Sequence, residues 1–338
     1  MKALVNYGPG SMRYEDWAEP VLAPGSVLIE VGACGICGSD LHPYRGHPDG
    51  RPVPGVWGHE FAGTVLEVGP GVSNVAPGVR AAIQPLLYCG TCPECRAGRV
   101  NICANAALLG AALPGGFAER VAVPTRSVFP LPEGLDVGVA SLSETLATPV
   151  HVFQNREQPF LRSVMIFGAG PQGLLCTQLA RLSGAPVIVV CDVMEERLRM
   201  AREMGATHAI DSRAADPVAL ARELTAGRGV DMVIEAAGRP QTRQMSIAVV
   251  RRAGSVVFLA TGHEATPLDF SAFVPREVRF KGTQCYTDAD FELAVELLAT
   301  GEVDVAPMIT EVPLRDGAEA FERLVKTPGN LVKVILRP

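Results

Sequence analysis

The sequence predicts an α/β protein that combines a β-rich domain with a doubly wound domain built on a parallel sheet. Short apolar strands punctuated by Gly and Pro fill the first 150 residues, for example over 27–31 and 61–68. This pattern is typical of an all-β, barrel-like domain. From about residue 160 onward, apolar strands alternate with helices, which predicts a parallel sheet with helices on both faces.

The individual elements of the second half follow in a regular order. Strands are predicted over 163–167, 187–191, 231–235, 255–259 and 278–281, with helices over 174–183 and 195–204. Two more helices, over 288–300 and 317–326, precede a strand over 331–336. These patterns predict a first domain over 1–150, a second over 151–286, and a last segment over 287–338 that returns to complete the first domain.

Composition and charge limit the class of protein. The 338 residues include 30 Lys and Arg against 36 Asp and Glu, a net charge of −6, and no basic run, which argues against a nucleic-acid partner. The apolar run near the N-terminus is only three residues long, so we expect no signal peptide. No apolar run is long enough to cross a bilayer, so we expect no membrane partner. Nine cysteines, odd in number and partly clustered, suit a reducing, cytoplasmic location.

Four closely spaced cysteines, Cys89, Cys92, Cys95 and Cys103, lie in a predicted lobe over 86–105. Two residues between neighbours let adjacent thiolates converge on one tetrahedral ion. Four thiolates leave no open position, so the pattern predicts a structural zinc site. A disulfide pair or four unrelated thiols are the alternatives, and the spacing favours zinc.

A glycine-rich stretch, 168–173, matches the dinucleotide-binding pattern between a predicted strand and a predicted helix. Gly168 permits a tight turn, Gly170 lets the backbone approach a pyrophosphate, and Gly173 lets the helix pack closely on the strand. Pro171 and Gln172 open the helix, whose N-terminus offers N–H groups to phosphates.

Asp192 ends the second strand of this unit, nineteen residues after Gly173. A carboxylate there can accept hydrogen bonds from ribose hydroxyls and would repel a 2′-phosphate, which predicts NAD rather than NADP. Arg197 is expected near the same ribose or the adenine. An ordinary aspartate at a strand end is the alternative.

A second set of metal-ligand residues is scattered over three segments. Cys37 lies in 34–42, His59 and Glu60 lie side by side, and Glu144 lies in 143–151. Thiolate, imidazole and carboxylate groups all bind zinc, and a catalytic site keeps one position open. A buried thiol at Cys37, a core histidine at His59 and a salt-bridge partner at Glu60 are the alternatives.

Together these motifs carry a family resemblance over essentially the whole chain. The Cys-Gly-Ser-Asp-Leu-His stretch, the Gly-His-Glu stretch, the cysteine lobe, the glycine loop and the Val-Ile-Glu-Ala-Ala-Gly turn resemble zinc-dependent medium-chain dehydrogenases of the alcohol, polyol and threonine superfamily. The motifs are most similar to those of sorbitol- and galactitol-phosphate-type enzymes. The resemblance implies a GroES-like catalytic domain and a Rossmann NAD-binding domain. Glu144 stands where the classical enzyme has its second cysteine, and Thr145 stands where polyol enzymes usually have Pro.

The resemblance also implies roles for individual residues. Cys37 and His59 would bind a catalytic zinc, with Glu60 or Glu144, or both in alternation, completing the site with water. Asp40 would orient the His59 ring. Ala237, in the turn after the strand over 231–235, would contact the cofactor.

The implied reaction is reversible NAD-dependent oxidation of a secondary alcohol of a polyol, cyclitol, sugar or sugar phosphate to the ketone, with two zinc ions per chain. Ser39 would take the alcohol proton and pass it through the nicotinamide ribose to His42. Candidate substrate contacts in the β-rich domain are Tyr44, Arg45, Trp57 and Phe117.

Other activities and an assembly remain as expectations. L-threonine 3-dehydrogenase or a general secondary-alcohol dehydrogenase are the alternatives within the enzyme class. A zinc-free quinone reductase would lack the Cys37 and His59 set, and a non-catalytic NAD-binding protein would be expected to lose ligands or relay. Relatives imply a homodimer or homotetramer, with the strand over 255–260 as the predicted sheet edge for pairing.

Overall fold

The computed structural model describes residues 1–47, 49–158, 160–262 and 264–338. The chain forms two compact units. The first unit comprises Met1–Ala147 with Cys285–Pro338, and the second comprises Thr148–Gln284. Each unit has its own sheets and its own apolar core.

The strands are β1 Lys2–Asn6, β2 Met12–Asp16, β3 Ser26–Gly35, β4 Gly55–Val56, β5 Glu60–Val68, β6 Arg80–Ile83, β7 Leu86–Leu87, β8 Ala107–Leu108, β9 Arg120–Pro124, β10 Val128–Pro130, β11 Ser163–Phe167, β12 Val187–Asp192, β13 His208–Asp211, β14 Val230–Glu235, β15 Val250–Phe258, β16 Arg279–Gly282, β17 Ile309–Pro313 and β18 Lys333–Arg337. The α-helices are α1 Gly38–Tyr44, α2 Pro93–Arg96, α3 Val137–Ser141, α4 Ser143–Gln154, α5 Pro171–Leu182, α6 Glu195–Glu203, α7 Pro217–Leu224, α8 Pro240–Val249, α9 Asp288–Ala299 and α10 Gly317–Lys326.

The largest sheet of the first unit has the order β10-β6-β5-β3-β18-β17, with β9 also paired to β3. Alternate residues of β3 are buried, as in Val27, Ile29 and Val31, because successive side chains of a strand point to opposite faces. The C-terminal strand β18 pairs antiparallel with β3, with Ile335 opposite Gly35. The last residues of the chain therefore lie beside the end of β3, where the Cys37 segment begins.

The second unit is a parallel six-stranded sheet in the order β13-β12-β11-β14-β15-β16. Every residue of β11 and β14 is buried, as expected where helices cover both faces of a parallel sheet. Phe167 is level with Cys191 in the register of β11 and β12. The glycine loop and Asp192 therefore leave the sheet at the same edge. The predicted doubly wound α/β class is confirmed.

The prediction that 255–260 forms the sheet edge is wrong. These residues fall in and just after β15, which pairs with β14 on one side and β16 on the other. In the described sheet the edge strands are β13 and β16, and β16 is a four-residue strand whose residues are all exposed. Strand order is set by how the crossover helices pack, and a short exposed strand carries little apolar pattern to reveal its position.

Among the described residues, no helix is both long enough and apolar enough to cross a bilayer.

Candidate active site

The cysteine lobe brings its four thiols together. The sulfur atoms of Cys89, Cys92, Cys95 and Cys103 all lie within 4.8 Å of one another, and none of them is in a disulfide. The Sγ atom of Cys103 is 3.5 Å from that of Cys89 and 3.9 Å from that of Cys92. A tetrahedral zinc ion with Zn–S bonds of about 2.3 Å places its sulfur ligands roughly 3.8 Å apart. The lobe therefore fits zinc without rearrangement.

Backbone N–H groups of the lobe point at the sulfur atoms. Thr91 and Cys92 donate to Cys89 Sγ over 3.5 and 3.3 Å, and Asn105 donates to Cys103 Sγ over 3.3 Å. The N–H groups of Thr91 and Cys92 lower the pKa of Cys89 to about 5, because they stabilise the thiolate. Burial and the neighbouring thiols raise the pKa of Cys95 to about 12. Four thiolates so close together would repel one another, and a bound cation removes that repulsion.

A second cluster of ligand atoms lies at the end of β3. Among the described residues, one atom each of Cys37, His59 and Glu60 also lies within 4.8 Å of the others. Cys37 follows β3 and caps α1, while Glu60 begins β5 and is level with Gly35 of β3. The pairing of β3 with β5 thus brings together two sequence segments about twenty residues apart.

Asp40 contacts the His59 ring on its Nδ1 side. Its Oδ1 atom is 3.5 Å from His59 Nδ1, and its Oδ2 atom accepts the Cys37 N–H over 3.0 Å. Arg51 donates to Oδ1 of Asp40 over 2.5 Å and to the carbonyl oxygen of Ser39 over 3.0 Å. Burial would raise the pKa of Asp40, but His59 and Arg51 lower it to about 2. Asp40 is therefore a fixed anion that selects the orientation of the ring.

The His59 pocket favours positive charge. Burial would lower the pKa of His59, but Asp40 and Cys37 raise it well above its usual value. The ring is 3% exposed, so little solvent screens these charges. A cation bound by Cys37 and His59 would supply the same positive charge, which fits a metal site.

Glu60 is held by a buried ion pair. Lys333 donates to its Oε1 atom over 2.5 Å and also lies beside Oε2, while Thr145 donates to Oε1 over 2.9 Å. The side chains of Lys333 and Glu60 are 2% and 0% exposed. A Cβ atom on Gly35 would overlap the Glu60 carboxylate, so this glycine leaves room for it. The Glu60 carboxylate thus lies close to both the other ligand atoms of the Cys37 cluster and the Lys333 ammonium group, which would compete with a metal ion for it.

Glu144 lies outside the cluster of ligand atoms, although its charge interacts with both His59 and Glu60. Its Oε1 atom accepts a hydrogen bond of 2.9 Å from the hydroxyl of Tyr286, which is completely buried. Glu144 keeps some solvent exposure, yet the protein packed around its carboxyl raises the pKa to about 7. Glu144 can therefore exist in either protonation state near neutral pH.

The two residues predicted to move a proton lie on the same short helix. Ser39 and His42 both belong to α1, and Ser39 Oγ is 3.4 Å from His59 Nε2. Ser39 is exposed and His42 is half-buried. This places the hydroxyl at the open side of the cluster, opposite Asp40.

The predicted substrate contacts divide into two groups. Trp57 and Phe117 are 3% and 0% exposed and belong to the apolar core. Trp57 packs under the Arg51 guanidinium at 4.9 Å, and Phe117 meets Phe321 edge to face at 5.7 Å. Tyr44 is half-buried and Arg45 is exposed.

The glycine loop has the geometry that its motif predicts. Gly168 has a φ of +98°, a conformation that side chains disfavour, and a Cβ atom on Gly173 would overlap the Gly168 carbonyl oxygen. Gly170 is the N-cap of α5, and a Cβ atom there would meet nothing within 4 Å. Pro171 and Gln172 form the first turn. The loop leaves open space at a helix N-terminus, where a phosphate group would bind.

Asp192 contacts the glycine loop directly. Its Oδ2 atom accepts the Ala169 N–H over 2.6 Å, and Oδ1 accepts the N–H groups of Val193 and Met194. Arg197 buries an Nε–H group that has no partner among the described residues. Ala237 is exposed in the turn after β14, where its N–H donates to Glu235.

Sequence reasoning missed several residues around these sites. Arg51, Lys333 and Tyr286 hold Asp40, Glu60 and Glu144 respectively, and none lies in a recognisable ligand motif. Arg213 was also missed; it donates to the Val193 carbonyl oxygen over 2.6 Å, beside Asp192. The signal that could have raised suspicion is a lone Lys in the apolar strand pattern of 331–336.

Two family models match this chain. One, described as an alcohol dehydrogenase GroES-like domain, matches residues 23–133, and another, described as a zinc-binding dehydrogenase, matches residues 171–300. The first model falls within the first unit, where both clusters of metal ligands lie. The second begins at the helix that follows the glycine loop.

Individual relatives match over nearly their whole length. Sorbitol dehydrogenase of Bacillus subtilis is 33% identical over 100% of this chain and 97% of that protein, and L-threonine 3-dehydrogenase of Bacillus velezensis is 34% identical over 100% and 99%. A zinc-binding dehydrogenase from Sinorhizobium meliloti, solved bound to NADP, has a TM-score of 0.93 at 34% identity over 100% and 99% of the two chains. Further similar proteins are named 2-dehydro-3-deoxy-L-galactonate 5-dehydrogenase, D-arabitol-phosphate dehydrogenase and galactitol-1-phosphate dehydrogenase.

Proposed function

We propose that this chain, which belongs to the zinc-binding alcohol dehydrogenase family, oxidises a secondary hydroxyl of a polyhydroxylated substrate to a ketone. As a member of that family it is a zinc-dependent NAD(P) oxidoreductase that acts on CH–OH groups. The substrate class is a polyol, a sugar acid or a sugar phosphate. The observation that carries the proposal is the convergence of Cys37, His59 and Glu60 at the end of β3.

Cys37 and His59 are the proposed protein ligands of the catalytic zinc. Glu60 or Glu144, or both in alternation, completes the set with water. The position of Glu60 inside the cluster supports its role, and the Lys333 ion pair provides a place for its carboxylate when it is not bound to metal. The four lobe cysteines hold a second, structural zinc.

When bound, zinc supplies the Lewis acid that lowers the pKa of the substrate hydroxyl, and the nicotinamide supplies the hydride acceptor. Asp40 and Arg51 fix the His59 ring, so that Nε2 faces the open side of the cluster. Ser39, 3.4 Å from that nitrogen atom, accepts the hydroxyl proton and at the same time gives up its own proton to the relay that leads to His42. His42, on the same helix, passes a proton to solvent.

The preference for polyhydroxylated substrates rests on similarity. Glu144 stands where the classical enzyme has a cysteine, and relatives include a sorbitol dehydrogenase and a D-arabitol-phosphate dehydrogenase. Threonine oxidation is the second candidate, supported by 34% identity to an L-threonine 3-dehydrogenase. The cofactor proposed is NAD, because the Asp192 carboxylate would repel a 2′-phosphate.

A substrate panel tests this proposal. Purified enzyme would be assayed with sorbitol and other polyols, sugar acids, sugar phosphates, L-threonine and simple secondary alcohols, following NADH absorbance. We expect kcat/KM to be highest for a polyol, a sugar acid or a sugar phosphate. Highest kcat/KM for threonine would select the second candidate, and no turnover with any CH–OH substrate would reject the proposal.

Self-association through the edge strand is also proposed. The backbone edge of β16 is exposed. Apolar side chains are exposed there as well: Phe280 lies in β16, and Phe270 and Val274 lie nearby in the sequence. An unpaired edge with apolar side chains favours pairing with a second copy. Size-exclusion chromatography with light scattering should give a dimer or tetramer, and a monomer at assay concentration would contradict it.

A further inference from the structure

A cleft of about 780 Å³ lies in the second unit, at the edge of the sheet where its strands begin. Its lining includes the residues just before β11 and at the start of β14 and β15. The glycine loop and Asp192 follow the other ends of the strands. The cleft is therefore separate from the dinucleotide site, at the opposite edge of the same sheet.

The lining of this cleft is strongly basic. It contains six arginines and one carboxylate: Arg162, Arg222, Arg228, Arg251, Arg252 and Arg276 with Asp231. The whole chain is acidic, with a net charge of −6. Positive charge concentrated on a concave surface focuses the electrostatic field and attracts anions.

Some of these arginines hold the fold. Arg276 donates to the carbonyl oxygens of Ala272, Val250 and Ile247, and Arg251 donates to Asp231 over 2.6 Å. Burial lowers the pKa of Arg276, and the charges of Arg252 and Arg222 lower it further. The repulsion among the guanidinium groups is thus not cancelled by the single aspartate.

Other arginines of the cleft are available to a ligand. The side chains of Arg162 and Arg222 are exposed, and neither has a hydrogen-bond or ion-pair partner among the described residues. Arg228 is exposed, and within the described part of the chain its side chain donates one hydrogen bond, of 3.2 Å, to the Thr225 carbonyl oxygen. A guanidinium presents a planar fork of N–H donors that matches phosphate oxygens, and it keeps its charge at any physiological pH.

We propose that this arginine cleft binds a small molecule that carries two or more phosphate groups. The volume lies within the range of small-molecule pockets, roughly 300–1,000 Å³. A concave site of this size suits a compact polyanion better than an extended nucleic acid, which would need a longer basic surface. The ligand is distinct from the dinucleotide because the two sites lie at opposite edges of the sheet.

Calorimetric titration of the zinc-loaded enzyme with inorganic pyrophosphate tests the proposal. Saturating NADH would be present, so that the glycine loop is already occupied. We expect one pyrophosphate site per chain, and at least tenfold weaker binding in the double variant R162S/R222S. Because these two side chains make no hydrogen bond or ion pair with the described residues, turnover should be unchanged and would show that the variant is folded.

A matched variant controls for overall charge. R315S/R323S removes two exposed arginines of the first unit and should bind pyrophosphate as the wild type does. Absence of saturable binding to the wild type would overturn the proposal. The proposal would also be overturned if R162S/R222S bound pyrophosphate as tightly as the wild type, or if R315S/R323S lost as much affinity as R162S/R222S. Either result would show that pyrophosphate does not bind in the cleft. Failure here would leave the dehydrogenase proposal untouched, since turnover is measured independently.

Discussion

The cysteine lobe takes its four sulfur atoms from fifteen consecutive residues, whereas the Cys37 cluster depends on side chains as distant as Cys37 and Lys333. In the lobe, neighbouring backbone N–H groups hold the thiols, so the metal set is local and closed. In the cluster, side chains hold side chains: Asp40 orients His59, and Lys333 pairs with Glu60. A site held by local backbone keeps its shape but offers no free position. A site held by contacts between side chains can exchange ligands when one of those contacts is released.

The largest expected effect distinguishes the Cys37 cluster from the cysteine lobe by what is lost when the zinc ion of each site is removed. Cys37→Ser should lower turnover by roughly 10³-fold or more, because several kcal/mol of transition-state stabilisation go with the catalytic ion. Its zinc content should fall from about two to about one per chain, with little change in Tm. Zinc analysis, kcat and thermal unfolding measure this.

The matching change in the lobe, Cys92→Ser, should also lower the zinc content to about one per chain. Here Tm should fall, while the enzyme that remains folded keeps most of its turnover. The comparison would fail if Cys92→Ser abolished turnover at unchanged Tm, or if Cys37→Ser left turnover intact.

The second prediction concerns the buried pair of Lys333 and Glu60. Lys333→Met should lower the free energy of unfolding by about 3–5 kcal/mol, because it leaves a buried carboxylate unpaired. Adding Glu60→Gln in the same chain should recover a large part of that loss. Denaturant unfolding of the single and double variants measures the coupling.

An exposed ion pair provides the control. Lys326 and Glu322 are 2.5 Å apart but 68% and 55% exposed, so Lys326→Met should lower the free energy of unfolding far less than Lys333→Met does. If Lys333→Met cost no more than Lys326→Met, the ion pair would not be what holds Glu60.

The third prediction uses pH. Burial raises the pKa of Glu144 from 4.5 to about 7, so in this range the folded state binds the proton more tightly than the unfolded state. The stability of the first unit should therefore fall as pH rises from about 4.5 to 7, by up to roughly 3 kcal/mol. The measurement is thermal unfolding against pH in a Cys37→Ser background, which leaves the lobe zinc in place.

Glu144→Gln in that background should remove this fall, because glutamine does not titrate. An identical pH profile with and without Glu144→Gln would mean that the carboxyl group is not desolvated as described. Zinc content of Glu60→Gln and Glu144→Gln in the otherwise native chain would then identify which carboxylate supports the catalytic ion.

The fourth prediction tests the open side of the cluster. Ser39→Ala should lower kcat by about 10²-fold, the lower end expected for loss of a positioned proton acceptor. NADH binding, followed by fluorescence, should be unchanged. Unaltered turnover would exclude Ser39 from the proton path.

The smallest expected effect lies in the other unit. Asp192→Ser should shift the ratio of kcat/KM for NAD over NADP by roughly tenfold toward NADP, because the repelling carboxylate is lost. Arg213, beside Asp192, should then meet the 2′-phosphate. A wild type that already prefers NADP would refute the role assigned to Asp192.

Much of the fold was predictable because its signals are local. The strand over 163–167 and the helix over 317–326 have the predicted bounds, since an apolar run ended by glycine and an amphipathic repeat need no partner to be recognised. Bounds elsewhere shifted by a few residues, as in α5, which begins at Pro171 rather than Leu174 because proline suits the first turn.

The sequence by itself determined the class of protein, the glycine loop and the lobe cysteines, because each rests on residues close together in the chain. Tertiary structure decided which strand lies at the sheet edge, that Lys333 and Thr145 hold Glu60, and that Tyr286 rather than a neighbour in sequence holds Glu144. It also decided that six arginines from separate segments line one cleft. These are contacts between distant segments, and their partners are chosen by strand pairing and helix packing rather than by spacing in the sequence.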